Sequence, residues 1–151
     1  MTTRCMCSAL RMAARRMTQI YDSGLAPADL NTAQFALLSA LAGPDGVPTV
    51  NELADRLALD RTTLAHNLRP LERDGLVEVT VDAQDRRMRR IVLTEAGRLR
   101  RRVAEPLWTL TQARFEADYG ADRAQALREA ALAIAQVSRR NETRTDRTHA
   151  R

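Results

Sequence analysis

The chain has 151 residues, 44% of them hydrophobic, which excludes a disordered chain and suits one compact domain with its own core. Only 3% are aromatic, and Ala and Leu fill most apolar positions, so a mainly helical fold is expected. The 24 basic residues, all arginine, exceed the 19 acidic ones for a net charge of +5, pointing to an anionic partner, and no stretch reaches the roughly 20 apolar residues of a membrane span.

From Arg4 to about Leu25, apolar residues recur at Cys7, Leu10, Ala14, Met17 and Tyr21, one face of a helix that Gly24 and Pro27 end. Asn31 or Thr32 caps a second helix carrying Phe35, Leu38 and Leu41, which Gly43-Pro44-Asp45-Gly46 stops. Thr49 with Glu52 forms a capping box and opens a short third helix with Val50, Leu53, Ala54 and Leu57 inward. After a turn at Ala58-Leu59, Asp60 caps a fourth helix through Leu64, Leu68 and Leu71 to Asp74-Gly75. Two short helices around a tight turn make a helix-turn-helix, whose second helix is the reader.

The period then changes. Leu76 to Val81 alternates and is β-branched, Asp82 to Arg87 is a polar turn, and Met88 to Leu93 alternates again: strand, turn, strand, a wing. Thr94-Glu95-Ala96-Gly97 caps a long helix with a stripe of Ala96, Leu99, Val103, Leu107 and Leu110, and Pro106 predicts a kink. Beyond Gly120, the residues Ala124, Leu127, Ala131, Ile134 and Ser138 mark a last helix. The expected organisation is one domain over 1–138, with a winged core at about 31–93, flanking helices at about 4–25 and 94–138, and a disordered tail at 139–151. The flanking helices cannot bury their stripes within one chain of this size, so dimerisation through the N- and C-terminal helices is expected. The fold class is mainly α with a small β-wing, a winged helix-turn-helix.

On the reader helix, Leu64, Leu68 and Leu71 face inward, which turns Thr62, His66, Arg69 and Arg73 outward with Thr63 and Asn67 flanking. Short hydroxyls and a His can approach base edges in the major groove of double-stranded DNA, and Arg69 can reach guanine or phosphate. Asp60-Arg61 serves as cap and backbone contact. Pro70 removes one hydrogen bond from this helix. Arg86 and Arg87 sit at the wing tip, where arginine can enter a narrow minor groove, and Arg89 and Arg90 add phosphate contacts. Of the run Arg98, Arg100, Arg101 and Arg102, at least two are read as a solvated helix face.

The only histidines are His66 and His149, and there is no Ser/His/Asp set, no phosphate-cradling glycine loop and no HExxH, so no catalysis, cofactor or metal is expected. Arg interrupts the apolar run at the N-terminus, which argues against a signal peptide and for a cytoplasmic location. An alternative class is a winged-helix module that binds protein rather than DNA; its mark would be a neutral or acidic reader face, and this face is basic.

The segments Val50-Asn51-Glu52-Leu53-Ala54, Leu71-Glu72-Arg73-Asp74-Gly75-Leu76-Val77, Asp82-Ala83-Gln84-Asp85-Arg86-Arg87 and Leu93-Thr94-Glu95-Ala96-Gly97, in this order and spacing, resemble the MarR family over nearly the whole chain. The resemblance implies a triangular homodimer with interleaved terminal helices. It implies a repressor on a pseudo-palindromic operator, released by a small-molecule inducer or an oxidant. It also implies that Asp85 braces Arg87.

Cys7 stands where the organic-peroxide-sensing members of that family keep a reactive cysteine, and Tyr21 falls where those sensors place a tyrosine from the other subunit. Cys7 and Tyr21 lie about 21 Å apart along one helix, so they meet only across a two-fold axis. At Arg11 and Ala33 the chain departs from that pocket, which carries tyrosines there. Cys5 is a candidate resolving thiol. If Cys7 is inert, a small aromatic or anionic ligand is expected near Arg11, Arg15, Phe35 and the start of the long helix.

Overall fold

In a computed structural model, residues 5–146 are described, with side chains to residue 135. Six helices and a two-stranded sheet follow in the order α1 (Met6–Leu25), a short 3-10 turn (Ala26–Ala28), α2 (Thr32–Leu41), α3 (Val50–Arg56), α4 (Arg61–Arg73), β1 (Val77–Val81), β2 (Arg89–Leu93), α5 (Glu95–Tyr119) and α6 (Ala121–Asp146). The chain divides into two compact units, residues 1–111 and 112–151.

The helix starts follow local chemistry. Asn31, not Thr32, caps α2: its side chain accepts from the Gln34 amide and the Gln34 side chain accepts from the Asn31 amide, both at 2.9 Å. Thr32 instead donates its amide and hydroxyl to Asp22 at 2.7 and 2.6 Å, tying α2 to the end of α1. The Thr49–Glu52 box forms as expected, at 2.7 and 3.2 Å. Between α3 and α4, Ala58 takes a left-handed conformation with φ 52.

The core of the first unit gathers the inward faces of α2, α3, α4 and the sheet: Leu37, Leu38, Leu53, Leu64, Leu71 and Ile91 are fully buried. Burying each such side chain stabilises the fold by about 1.5–3 kcal/mol. The strands pair antiparallel with Thr80 opposite Arg90 and Val81 opposite Arg89. The segment before α3 joins this sheet, because the Ile91 amide donates to the Pro48 carbonyl at 3.0 Å and Thr49 bridges Arg90.

Two sequence motifs meet at one peptide. Helix α4 ends at Gly75, φ 69: the Gly75 amide donates to Glu72 and the Leu76 amide reaches back to Leu71 at 2.8 Å. The Leu76 carbonyl then accepts from the Thr94 amide at 3.2 Å, with the Thr94 hydroxyl 3.0 Å away. That hydroxyl accepts from the Gly97 amide at 3.0 Å and opens α5. A Cβ on Gly97 would fall 2.0 Å from the Leu76 carbonyl oxygen, so the Asp-Gly-Leu and Leu-Thr-x-x-Gly pieces are two sides of one close approach.

The long helix leaves the expected stripe largely open within one chain. Its buried side within the first unit is Gly97, Ala104 and Thr111, whereas Leu99, Val103 and Leu110 are exposed, at 56%, 50% and 48%. Leu107 alone of the larger residues packs partly on the core. The helix runs unbroken through Pro106.

In the second unit, Gln112 and Arg128 both bond to Glu116, Phe115 stacks on Tyr119 at 5.3 Å, and Arg123 covers the Tyr119 ring at 4.5 Å. Ala124 is buried there, while Leu132 and Ile134 are exposed. Helix α6 continues past Ser138 to Asp146, and the last residues of the expected tail, 147–151, lie outside the described residues.

Candidate nucleic-acid interface

Helix α4 is amphipathic by construction. Leu64, Leu68 and Leu71 hold it to the core, and this leaves Arg61, Thr62, Thr63, His66, Arg69 and Arg73 exposed with Asn67 half-buried. Asp60 accepts from the Thr63 amide at 2.9 Å and from the Thr63 hydroxyl at 2.7 Å, which holds the Asp60 carboxyl below its usual pKa. The Thr63 hydroxyl is thus committed to the cap. Arg73 is also engaged, its Nε donating to Asp74 at 2.8 Å. Among the described residues, Arg61 and Arg69 enter no ion pair, so both guanidinium groups are available.

The wing turn is built by two carboxylates. Asp82 is 7% exposed and accepts from the Gln84 and Asp85 amides, each at 2.8 Å. Asp85 accepts from the Arg87 amide at 2.9 Å, so its brace acts on the Arg87 main chain and leaves the guanidinium in solvent. Arg86 and Arg89 are exposed as well.

Arg90 differs from the sequence expectation. It is not a free phosphate contact: Nε is bonded to the Asp82 carboxylate and Nη1 donates to the Val47 carbonyl at 2.7 Å. The Arg90 guanidinium, with the Asp85 and Gln84 amides, brings the Asp82 carboxyl down to about 2. Sequence reading missed this pair. Its signal was an acid at the end of one strand and an arginine two residues into the next, which only the strand register brings together.

The residues expected for signal input lie on α1 and α2. Cys5, Cys7, Arg11 and Arg15 are exposed on α1, with Arg15 donating to the Arg11 carbonyl, while Tyr21 is buried. The amide and hydroxyl of Ser8 push the Cys5 thiol below its usual pKa, although no cap hydrogen bond is formed. Phe35 is buried against Trp108, ring centroids 6.1 Å apart. A cavity of about 420 Å³ does open beside the start of α5, but between Ala28, Asp29, Leu76, Leu99, Arg100 and Val103; Arg11, Arg15 and Phe35 do not line it. Arg100 bonds there to the Ala28 carbonyl at 3.1 Å and lies 3.5 Å from Asp29. Among the described residues, no group of His, Cys, Asp and Glu is placed to hold a metal ion, and no helix is long and apolar enough to cross a membrane.

Residues 28–88 match a model of the MarR family. The transcriptional regulator MosR of Mycobacterium tuberculosis, solved in complex with DNA, is 38% identical, covers 90% of this chain and 97% of its own, and superposes with a TM-score of 0.80. The chain belongs to the MarR family. A second solved relative, the transcriptional repressor CouR bound to a 23-mer DNA duplex, is 30% identical with a TM-score of 0.78, over 88% of this chain and 94% of that one. The transcriptional activatory protein BadR of Rhodopseudomonas palustris is 37% identical over 95 residues, 60% of this chain. This MarR-family chain spans about half the length of the curated relatives it matches, 50% of BadR and 47% of the regulator TtmR of Methylorubrum extorquens.

Proposed function

We propose that this chain is a sequence-specific transcription regulator that binds double-stranded DNA as a homodimer. The observation that carries the reading is the placement of uncommitted cationic side chains on two elements of one face-forming module: Arg61 and Arg69 on α4, and Arg86, Arg87 and Arg89 at the wing. In this reading α4 enters the major groove, with Thr62, His66, Asn67 and Arg69 at base edges. The wing arginines take the neighbouring minor groove and phosphates. The DNA complexes of the relatives MosR and CouR support it.

The homodimer accounts for apolar surface that one chain leaves open. Met6 and Met12 on α1, Leu99, Val103 and Leu110 on α5, and Leu132 and Ile134 on α6 are each about half exposed or more. A second copy covering these faces buries them without any further partner. Repression by occupying a promoter requires nothing beyond this DNA binding. In this reading the protein acts as a regulator, in keeping with its family and relatives.

Two inputs can release it. A small ligand has room in the cavity between Ala28, Leu76, Leu99 and Arg100. Oxidation by a peroxide is the second, at Cys7, with Cys5 two residues before it as the candidate resolving thiol; both are exposed.

Binding of a randomised duplex pool, with selection and a titration against salt, tests the reading. The account expects an enriched two-fold motif and a log affinity that falls linearly with log salt. Arg69→Ala and Arg87→Ala should each reduce that slope by about 1.8, if each of the two subunits loses one phosphate contact. Absence of any enriched motif, or slopes unchanged in both variants, would overturn it.

A further inference from the structure

We propose that Asp82 and Arg90 are positioning residues that lock the wing against the start of α3, and thereby set DNA affinity without touching DNA. The inference rests on the DNA-binding reading above and concerns residues that reading leaves out.

Arg90 links three parts of the chain. Its Nε binds the Asp82 carboxylate, whose other oxygen organises the wing turn through the amides of Gln84 and Asp85. Its Nη1 binds the Val47 carbonyl, and its main chain bridges Thr49, the cap of α3. Glu52, the partner of Thr49 in the capping box, interacts electrostatically with Arg90 as well. A two-stranded ribbon by itself is marginal and free to twist. Here the ribbon is tied at its turn end to the first helix of the helix-turn-helix, so Arg86 and Arg87 are carried at a fixed distance from α4. A groove-reading pair of elements gains affinity from such pre-organisation because the cost of ordering is met before DNA arrives.

The alternative is that Asp82 and Arg90 act on DNA only as charges. The two roles predict opposite signs. Asp82→Asn keeps an oxygen for the turn amides and removes the anion. If charge alone matters, it lifts a repulsion, frees Arg90 and tightens binding. If the pair is a brace, it loosens the wing and weakens binding, by about tenfold, within the range for losing one specific arginine contact. Arg90→Lys keeps both charges but cannot make the two-pronged bond. A phosphate contact survives that change with affinity nearly intact, whereas a brace does not.

Affinity of the full chain for its selected duplex is measured by fluorescence anisotropy for wild type, Asp82→Asn, Arg90→Lys and the double variant, with unfolding curves in parallel. The expected result is weaker binding for each single variant and a double variant no weaker than the worse single, because both break the same link. Tighter binding by Asp82→Asn, unchanged binding by Arg90→Lys, or additive losses would overturn the brace. If Asp82→Asn does not fold, Arg90→Lys carries the test alone. If wild type itself binds no duplex, the proposed function falls, a result distinct from any of these.

Discussion

Replacing Gly97 by Ala tests the junction on which the winged module is mounted. The added Cβ would sit 2.0 Å from the Leu76 carbonyl oxygen and 2.6 Å from Leu93 Cδ1, against the 3.4 Å of an ordinary contact. Neither neighbour can yield cheaply, since Leu76 is main chain at the end of the α4 turn and Leu93 is 4% exposed. The first turn of α5 must therefore retreat by more than 1 Å at that point, which breaks the Thr94 bonds to Leu76 at 3.2 and 3.0 Å. Overpacking of this kind costs about 1–3 kcal/mol, and each lost hydrogen bond adds about 1. Ala is the better helix former by about 1 kcal/mol, which offsets part. The net expected loss is about 3 kcal/mol, or about 6–12 °C in Tm for a chain of this length. Thermal and urea unfolding of wild type and Gly97→Ala measure it. A variant within about 0.5 kcal/mol of wild type, the ordinary range for a neutral site, would refute the argument.

The same logic applies to Gly24, whose Cβ would fall 2.0 Å from Thr111 Oγ1. Gly24→Ala should destabilise by about 1–3 kcal/mol, and Thr111→Ala in the same chain should recover most of it, since the obstacle is a side chain; unfolding curves of the two singles and the double decide this. Asp82 titrates at about 2 in the fold against 3.8 for its ordinary value, so its contribution is complete above about pH 4 and is lost as pH falls through 2. Glu52, Asp60, Asp74 and Glu95 are also lowered, so Tm should be flat from pH 7 to 5 and fall in acid, and a Tm that rises on acidification would contradict the assignment. Peroxide treatment should weaken duplex binding by wild type and not by Cys7→Ser, and unchanged binding by the oxidised wild type would remove the redox reading.

The local rules carried far because the caps and stops here are chemical. Thr49 with Glu52, Asp60 before Thr63, and Gly75 after Asp74 each satisfy a helix end with residues a few positions away, so sequence alone exposes them. The outward face of α4 follows from Leu64, Leu68 and Leu71 in the same way. What failed depends on distant neighbours. Periodicity found the stripe of Leu99, Val103 and Leu110 on α5 but not the side of the helix that packs within the chain. The chain's own core takes Gly97, Ala104 and Thr111 instead, since a helix lying this close to its neighbours admits only small residues. Arg90 looked like a surface cation until the register of the sheet placed it beside Asp82. The contact of Phe35 with Trp108, 73 positions away in sequence, was likewise beyond periodicity.

The central claim is that two copies present α4 and a braced wing to successive grooves of one duplex. Hydroxyl-radical footprinting of the selected duplex measures this directly. The account predicts two protected patches related by a two-fold axis, their centres about 10–10.5 base pairs apart or a multiple of that, with Arg87→Ala erasing only the outer edges. A single patch, or protection without two-fold symmetry, would contradict it.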